Sequence, residues 1–279
     1  MKLAPDCYNC LRGLIWQAVD LATVDTLLKC RAREKAMRIL DNEFSYDQIS
    51  IVIAAKIHKA IRDITGSEDP YRAMKDKEMA IARQLYPEIA SLYGDDLRGS
   101  LKLAAVANAL DFFREHSLIR EDMKRMVHFV IDDLGYLEER LKNANKVLYL
   151  ADNAGEIYFD LPLVKWMKRF TSVSYVVKPS PVQNDATLED ISKACLENEF
   201  KEVMTTGIAA PGIIFDLASE EFKQEFEAAG LIFAKGMGHY ESLSEFPGKG
   251  RVFYCLKAKC KPVADSLGVP LNSYVAMLR

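Results

Sequence analysis

The sequence predicts an α/β protein: a Rossmann-like three-layer unit with a mainly parallel sheet, preceded by an all-helical N-terminal region. Three observations predict it. Up to about residue 140, apolar residues recur at helical spacing almost throughout. Beyond "NANK" (residues 143–146), short β-branched and aromatic runs take over, and most intervals between those runs again carry helical patterns. Strands alternating with helices require right-handed crossovers, which bury a parallel sheet on both faces. The expected division is a helical domain over 1–142 and an α/β domain over 143–279.

In the first half, Leu11, Leu14, Ile15, Ala18 and Ala22 fall on one helical stripe. "DPYRAMKDKEMAIARQLYPEIASLYG" opens with Asp69 as N-cap and Pro70 at the first helical position, and Gly94 can close it. "SLKLAAVANALDFFREH" and "REDMKRMVHFVIDDLGYLEERLKN" read as two further helices. In the second half the expected strands are "KVLYL", "VSYVV", "EVMTT", "LIFAK" and "RVFYCL". Helices are expected at "YFDLPLVKWMKRF", "TLEDISKACLEN" and "EEFKQEFEAAG". No internal repeat or low-complexity linker separates the halves.

Composition narrows the function. The 279 residues are 49% hydrophobic and 28% charged, with a net charge of -3, the profile of a soluble protein with a substantial core. That balance argues against nucleic acid or an anionic membrane as the main partner. The start lacks a signal-peptide pattern, and no run approaches the roughly 18 apolar residues a membrane span requires. Six cysteines in a chain of this length do not form a secreted disulfide framework, so a cytosolic location is expected.

Ligands of open parallel sheets bind beyond the carboxyl ends of the strands. That rule selects four polar or glycine-rich loops: "ADNAGE", "KPSPVQNDAT", "GIAAPG" and "GMGHYE". Asp152 and Asn153 in the first offer the oxygen donors that Mg²⁺ or Mn²⁺ prefer. Glu156 is a further ligand, a supporting acid or a helix-dipole partner. The competing reading of the pair is a turn or a helix cap. Asn184 and Asp185 in the second loop add an amide and a carboxylate, with Lys178 fixed at the strand end. A metal held by Asp152, Asn153 and Asp185 would keep positions open for water and a phosphate oxygen. Alternatively, Asp185 or Thr187 caps the following helix.

The third and fourth loops look like anion receptors, through Thr206, Gly207, Lys235, Gly236 and Gly238. Neither is a dinucleotide fingerprint or a Walker sequence. A dication with Lys178 or Lys235 would neutralise a phosphoryl group, and Asp185 or Glu156 would take the proton of the attacking water. An aspartyl-phosphate route is disfavoured, because the residue two after Asp152 is Ala154 rather than an acid. Asn108 and Asp111, three apart in an otherwise apolar helical pattern, are expected to support the metal loop.

Cys7 and Cys10 form a CxxC at a helix head, where a thiolate is stabilised; redox sensing or an auxiliary metal competes there with simple packing. Cys255 and Cys260 lack the spacing of a second pair. Cys30 and Cys195 are expected in the core. His58, His116 and His128 are expected as surface or hydrogen-bonded helical residues.

At these loops the sequence resembles the metal-dependent damage-control phosphatases. The matching pieces are "DNAGE", "KPSPVQNDAT", "TTG…PG" and "KGMGHYE", with "ANALDF" in the helical half; the opening "CYNC" resembles the mark of the stand-alone prokaryotic subfamily. The resemblance implies hydrolysis of small phosphometabolites, either sugar phosphates or damaged nucleotides and their precursors. It further implies a divalent ion (Mn²⁺, Ni²⁺, Co²⁺ or Mg²⁺) on Asp152, Asn153 and Asp185. Met237 and His239 stand where the family often has Gln and Asn, so His239 becomes a candidate phosphate donor or proton shuttle. Glu241 keeps the family's acid. Two alternatives stay open: a Rossmann-type methyl- or nucleotide-donor transferase, and a non-catalytic sensor of metal or phosphometabolite.

Overall fold

The computed structural model describes residues 1–110 and 116–279, with the side chains of 116–118 also left aside. The N-terminal helices are α1 (Pro5–Ala22), α2 (Thr26–Glu43), α3 (Ser50–Thr65), α4 (Arg72–Ala90), α5 (Leu97–Ala107) and α6 (His116–Lys124). Then follow β1 (Phe129–Asp132), α7 (Leu134–Asn143), β2 (Lys146–Leu150), α8 (Ile157–Met167), β3 (Ser172–Val177), α9 (Leu188–Lys193), α10 (Glu197–Phe200) and β4 (Val203–Thr205). The chain ends with α11 (Glu220–Ala228), β5 (Leu231–Lys235), α12 (Gly236–Leu243), β6 (Val252–Lys257), α13 (Lys261–Leu267) and β7 (Tyr274–Leu278).

The strands form one seven-stranded sheet in the order β1-β7-β6-β5-β2-β3-β4. Every pairing is parallel except that of β6 with β7. From β2 the chain winds outward through β3 and β4, then returns to place β5 on the other side of β2. The reversal lies between β2 and β5, where doubly wound sheets open a crevice at their carboxyl edge.

Strand parity decides what each side chain meets. Val147, Tyr149, Tyr175 and Phe233 face a core shared with α4, α5 and α8. Leu148, Leu150, Val176 and Ile232 face the opposite core, under α11, α12 and α13. Helices α1–α3 enclose a separate small core around Ile15, Ala36 and Ile57.

Several expectations need correction. The segment read as one helix over 120–143 divides into α6, β1 and α7. "FVID" alternates half-buried and exposed positions and pairs with β7, so a sheet partner distant in sequence overrides the local helical period. Helix α5 ends at Ala107, and Asn108 is its C-cap rather than a residue inside a longer helix. Asp111 lies outside the described residues. Helix α4 starts at Arg72, while the Asp69 carboxylate accepts from the Tyr71 N–H before it. Cys30 and Cys195 are exposed rather than in the core: Cys30 sits on the outer side of α2, and Cys195 lies in the turn after α9.

Of the histidines expected on helices, His128 is exposed but lies between α6 and β1, the side chain of His116 is outside the described residues, and His58 departs from the expectation. His58 is buried against Tyr71, its Nε2 has no partner, and burial together with the Arg62 charge lowers its pKa from 6.5 to about 3. The unfolded chain therefore takes up this proton as pH falls through 6.5, and the folded one does not until about 3. Stability from this group is complete above that window and lost as pH falls through it. Between pH 7 and 5, His58→Leu should reduce the loss of stability by about 2 kcal/mol, measured by urea denaturation. An unchanged pH dependence would contradict the assignment.

Candidate active site

The first two strand-end loops are locked together by backbone bonds. Ala154 N–H donates to Asn184 O and Ala186 N–H donates to Asp152 O, both at 2.8 Å, and Asn153 bridges Asp185 in antiparallel fashion. These bonds bring residues from the ends of β2 and β3 side by side. Neither Asp152 nor Asn153 caps a helix: the turn starting at Ala154 and helix α8 after it both begin without a side-chain cap. In the second loop Thr187 is the cap of α9, in a reciprocal box with Asp190, which leaves the Asp185 carboxylate free of that duty.

The side chains turn toward one another instead. Asn108 Nδ2 donates to Asp152 Oδ2 and to Glu156 Oε1, each at 2.9 Å, while its Oδ1 accepts from the Lys257 N–H at 3.2 Å. Asn153 Nδ2 donates to Glu156 Oε1 at 2.7 Å. Asn108 thus joins the cluster, as expected, from the C-cap of α5. Gly236, with φ +77°, sits so close to Asp152 that an added Cβ would fall 1.9 Å from Oδ2. Only glycine lets the start of α12 approach the carboxylate this closely. Gly155 makes room for Glu78 of α4, whose Cγ would lie 2.5 Å from a Cβ there.

Charge in the cluster is unbalanced. Asp152, Asp185, Glu156 and Glu78 gather in one buried region. Burial raises Asp152 well above the carboxylate range, and the like charges of Glu156 and Asp185 push it further. Burial likewise lifts Asp185 to about 6, against the pull of Lys178. Glu78 is raised well above the carboxylate range by burial and by Glu156, against the smaller opposing effects of Asn184 and Lys259. Glu156 is the exception: burial raises it, but the Lys235 ammonium at 2.7 Å outweighs burial and its pKa falls. Oxygen donors crowded beyond their neutralising charge are the donor chemistry a hard dication suits. Among the described residues no three His, Cys, Asp or Glu side chains surround a common point, and the predicted set is completed by an amide.

The predicted phosphate cations turn out to be occupied. Lys235 is fully buried, and its ammonium meets Glu156 at 2.7 Å, Asp160 at 2.6 Å and Ala104 O at 2.8 Å. It shares the face of β5 that carries Phe233, so parity aims it into the helical layer rather than the loop mouth. The Lys235 ammonium is thus engaged as the counter-charge of Glu156 and Asp160. Lys178, also buried, donates to Gly212 O and lies 3.6 Å from Asp185. The Thr206 hydroxyl is spent on Ile208 O at 2.9 Å. Gly207 and Gly212 both adopt positive φ, and Gly212 packs on Gly238 O. His239 is buried, with Nδ1 2.7 Å from Lys235 O, and burial drops its pKa to about 3. The Glu241 carboxylate accepts from the Ser50 hydroxyl, and its backbone carbonyl accepts from the Met1 amino group.

Sequence reasoning missed four participants. Asp160, one acid in the apolar pattern of α8, ties Tyr149, Tyr175 and Lys235 together. Glu78 and Lys75 come from α4, whose packing could not be read from its own pattern, and Lys75 forms a buried pair with Asp190 of α9 at 2.6 Å. Lys259 is exposed just beyond β6, and its positive charge acts on Glu78, Asp152 and Glu156. The strand-end rule applied to a fifth loop would have found it. At the N-terminus, Cys7 Sγ accepts from the Ala4 N–H at 3.4 Å. Burial raises both CxxC thiols, overriding the helix-head effect expected to favour thiolates.

Three comparisons bear on this arrangement. A family model described as the damage-control phosphatase ARMT1-like domain matches residues 3–275. The chain is similar to a damage-control phosphatase of Archaeoglobus fulgidus, 35% identical over 287 residues, covering 99% of both chains. A damage-control phosphatase of Pyrococcus horikoshii is 34% identical over 284 residues, covering 99% of this chain and 98% of its own. The crystal structure of a DUF89 family protein from Pyrococcus horikoshii superposes with a TM-score of 0.90 at 32% identity, covering 100% and 99% of the two chains.

Proposed function

Because the chain belongs to the ARMT1-like damage-control phosphatase family, we infer that it hydrolyses small phosphometabolites at the crevice between β2 and β5, with a divalent cation held by Asp152, Asn153 and Asp185. The observation that supports this reading is the pair of loops whose backbone bonds bring residues 152–153 alongside Asp185. The bound dication would supply charge neutralisation for the phosphoryl group and acidify a water. The residues of the chain supply the rest. Asn108 fixes Asp152 and Glu156 at once, and Lys235 keeps Glu156 ionised without itself reaching the substrate. Both Glu156 oxygens are already engaged, by Asn108 and Asn153 on one and Lys235 on the other, so Asp185 is the acid left to take the water's proton.

Phosphate contact falls to Lys259, the exposed cation facing the carboxylates, in place of Lys178 and Lys235. Lys259→Met should lower kcat/KM about a hundredfold, with unfolding stability little changed because the side chain is exposed. A loss under about threefold would remove that role. The reading as a whole is tested by phosphate release from a phosphometabolite panel with Mg²⁺, Mn²⁺, Ni²⁺ and Co²⁺. Metal-stimulated turnover supports it. Binding without turnover under every ion points to a sensor, and tight binding of a methyl donor to a transferase.

A further inference from the structure

A cavity of 340 Å³ lies beside the carboxylate cluster, between α1, α3 and the strand-end loops. Its size falls in the range of small-molecule sites. Three of its wall residues belong to the loops that build the candidate active site. Gln183 immediately precedes Asn184 and Asp185, and Met237 and Gly238 immediately follow Gly236, which packs on Asp152. Met237 also touches the phosphate side, since its sulfur accepts from the Lys259 N–H at 3.3 Å. The cavity and the carboxylates are therefore bordered by the same two loops.

The remaining wall is mostly apolar, from Leu11 and Leu14 of α1, Ile51 of α3, and Pro211 and Pro262; among its polar members, Glu241 already accepts from Ser50 and Lys261 is paired with Asp265, while Asp6 stands at the head of α1. Cys7, Cys10 and Cys260 converge on the same space, although Cys260 stands far from the CxxC in sequence. Their thiols stay neutral, because burial raises all three, and neutral thiols behave as small apolar groups. Thiols held in this form are poor starting points for a redox switch.

Resting on the phosphatase reading above, we propose that this cavity receives the organic part of the substrate, and that the substrate is a phosphomonoester of a compact apolar or aromatic alcohol rather than of a polyhydroxylated sugar. The CxxC and Cys260 are specificity residues, part of the cavity wall. Phosphate at the loops and an apolar body against α1 and α3 together fix the ester bond between the two regions.

The test compares two phosphonates whose C–P bonds resist hydrolysis, 1-naphthylmethylphosphonate and methylphosphonate, by isothermal titration with Mg²⁺. The proposal predicts at least about tenfold tighter binding of the naphthyl compound, since each buried methylene-sized group contributes several-fold. Cys10→Phe, which fills the mouth, should cut that ratio about tenfold, whereas Cys10→Ser should shift it less than about threefold. Equal affinities, no binding of either compound, or a collapsed ratio in Cys10→Ser would overturn the proposal. Phosphate release from other esters, persisting in that case, would leave the phosphatase reading standing. Conversely, preferential naphthyl binding with no release from any ester under any ion would sink the phosphatase reading and keep the cavity's.

Discussion

Asp152→Asn should reduce metal-stimulated phosphate release about a thousandfold while leaving the protein as stable as before, or more so. The substitution keeps the size of the side chain and removes a charge. In the folded chain that charge sits beside Glu156 and Asp185, and burial and those like charges raise its pKa well above the usual range. Without a cation the ionised form is a burden on the fold, so neutralising it relieves repulsion. With a cation it is a ligand, and loss of one such electrostatic contact commonly costs two to three orders of magnitude in rate. Activity assays and thermal melts with and without Mn²⁺ separate the two effects. The wild type should gain melting temperature from the ion and the variant should not. Full metal-stimulated activity in the variant would remove Asp152 from the site.

Lys235→Met should do the reverse, destabilising the protein by about 3–5 kcal/mol. The ammonium is fully buried among Glu156, Asp160 and Ala104 O, and its removal leaves two carboxylates in the interior without their counter-charge. Tyr149 and Tyr175 still donate to Asp160, each at 2.8 Å, so the exposed fault is mainly at Glu156. Adding Glu156→Gln should therefore recover a large part of the loss, and urea midpoints of the single and double variants measure it. A loss below about 1 kcal/mol would mean that the pair is worth no more than a surface salt bridge.

The contrast between these two residues shows what a sequence exposes. Asp152, Asn153 and Asp185 were legible because strand runs are local signals and the carboxyl-edge rule converts their ends into neighbours. The rule fails for Lys235, the last residue of its strand, because its direction depends on which face Phe233 takes. Strand β1 was hidden for a related reason: its four residues become a strand only by pairing with β7, far along the chain. Convergence of Cys260 with the CxxC, and of Glu78 with Gly155, comes from helix packing, on which spacing in sequence is silent. Asn108 stands out as a polar residue in an apolar segment, and its partners are Asp152 and Glu156 of the first strand-end loop.

The most direct test is a crystal grown with Mn²⁺ and examined by anomalous scattering. The account predicts a peak in contact with oxygens of Asp152, Asn153 and Asp185, lost in crystals of Asp152→Asn. A peak on the cysteine-lined cavity instead, or none near residues 152–185 while Mn²⁺ still stimulates phosphate release, would contradict it.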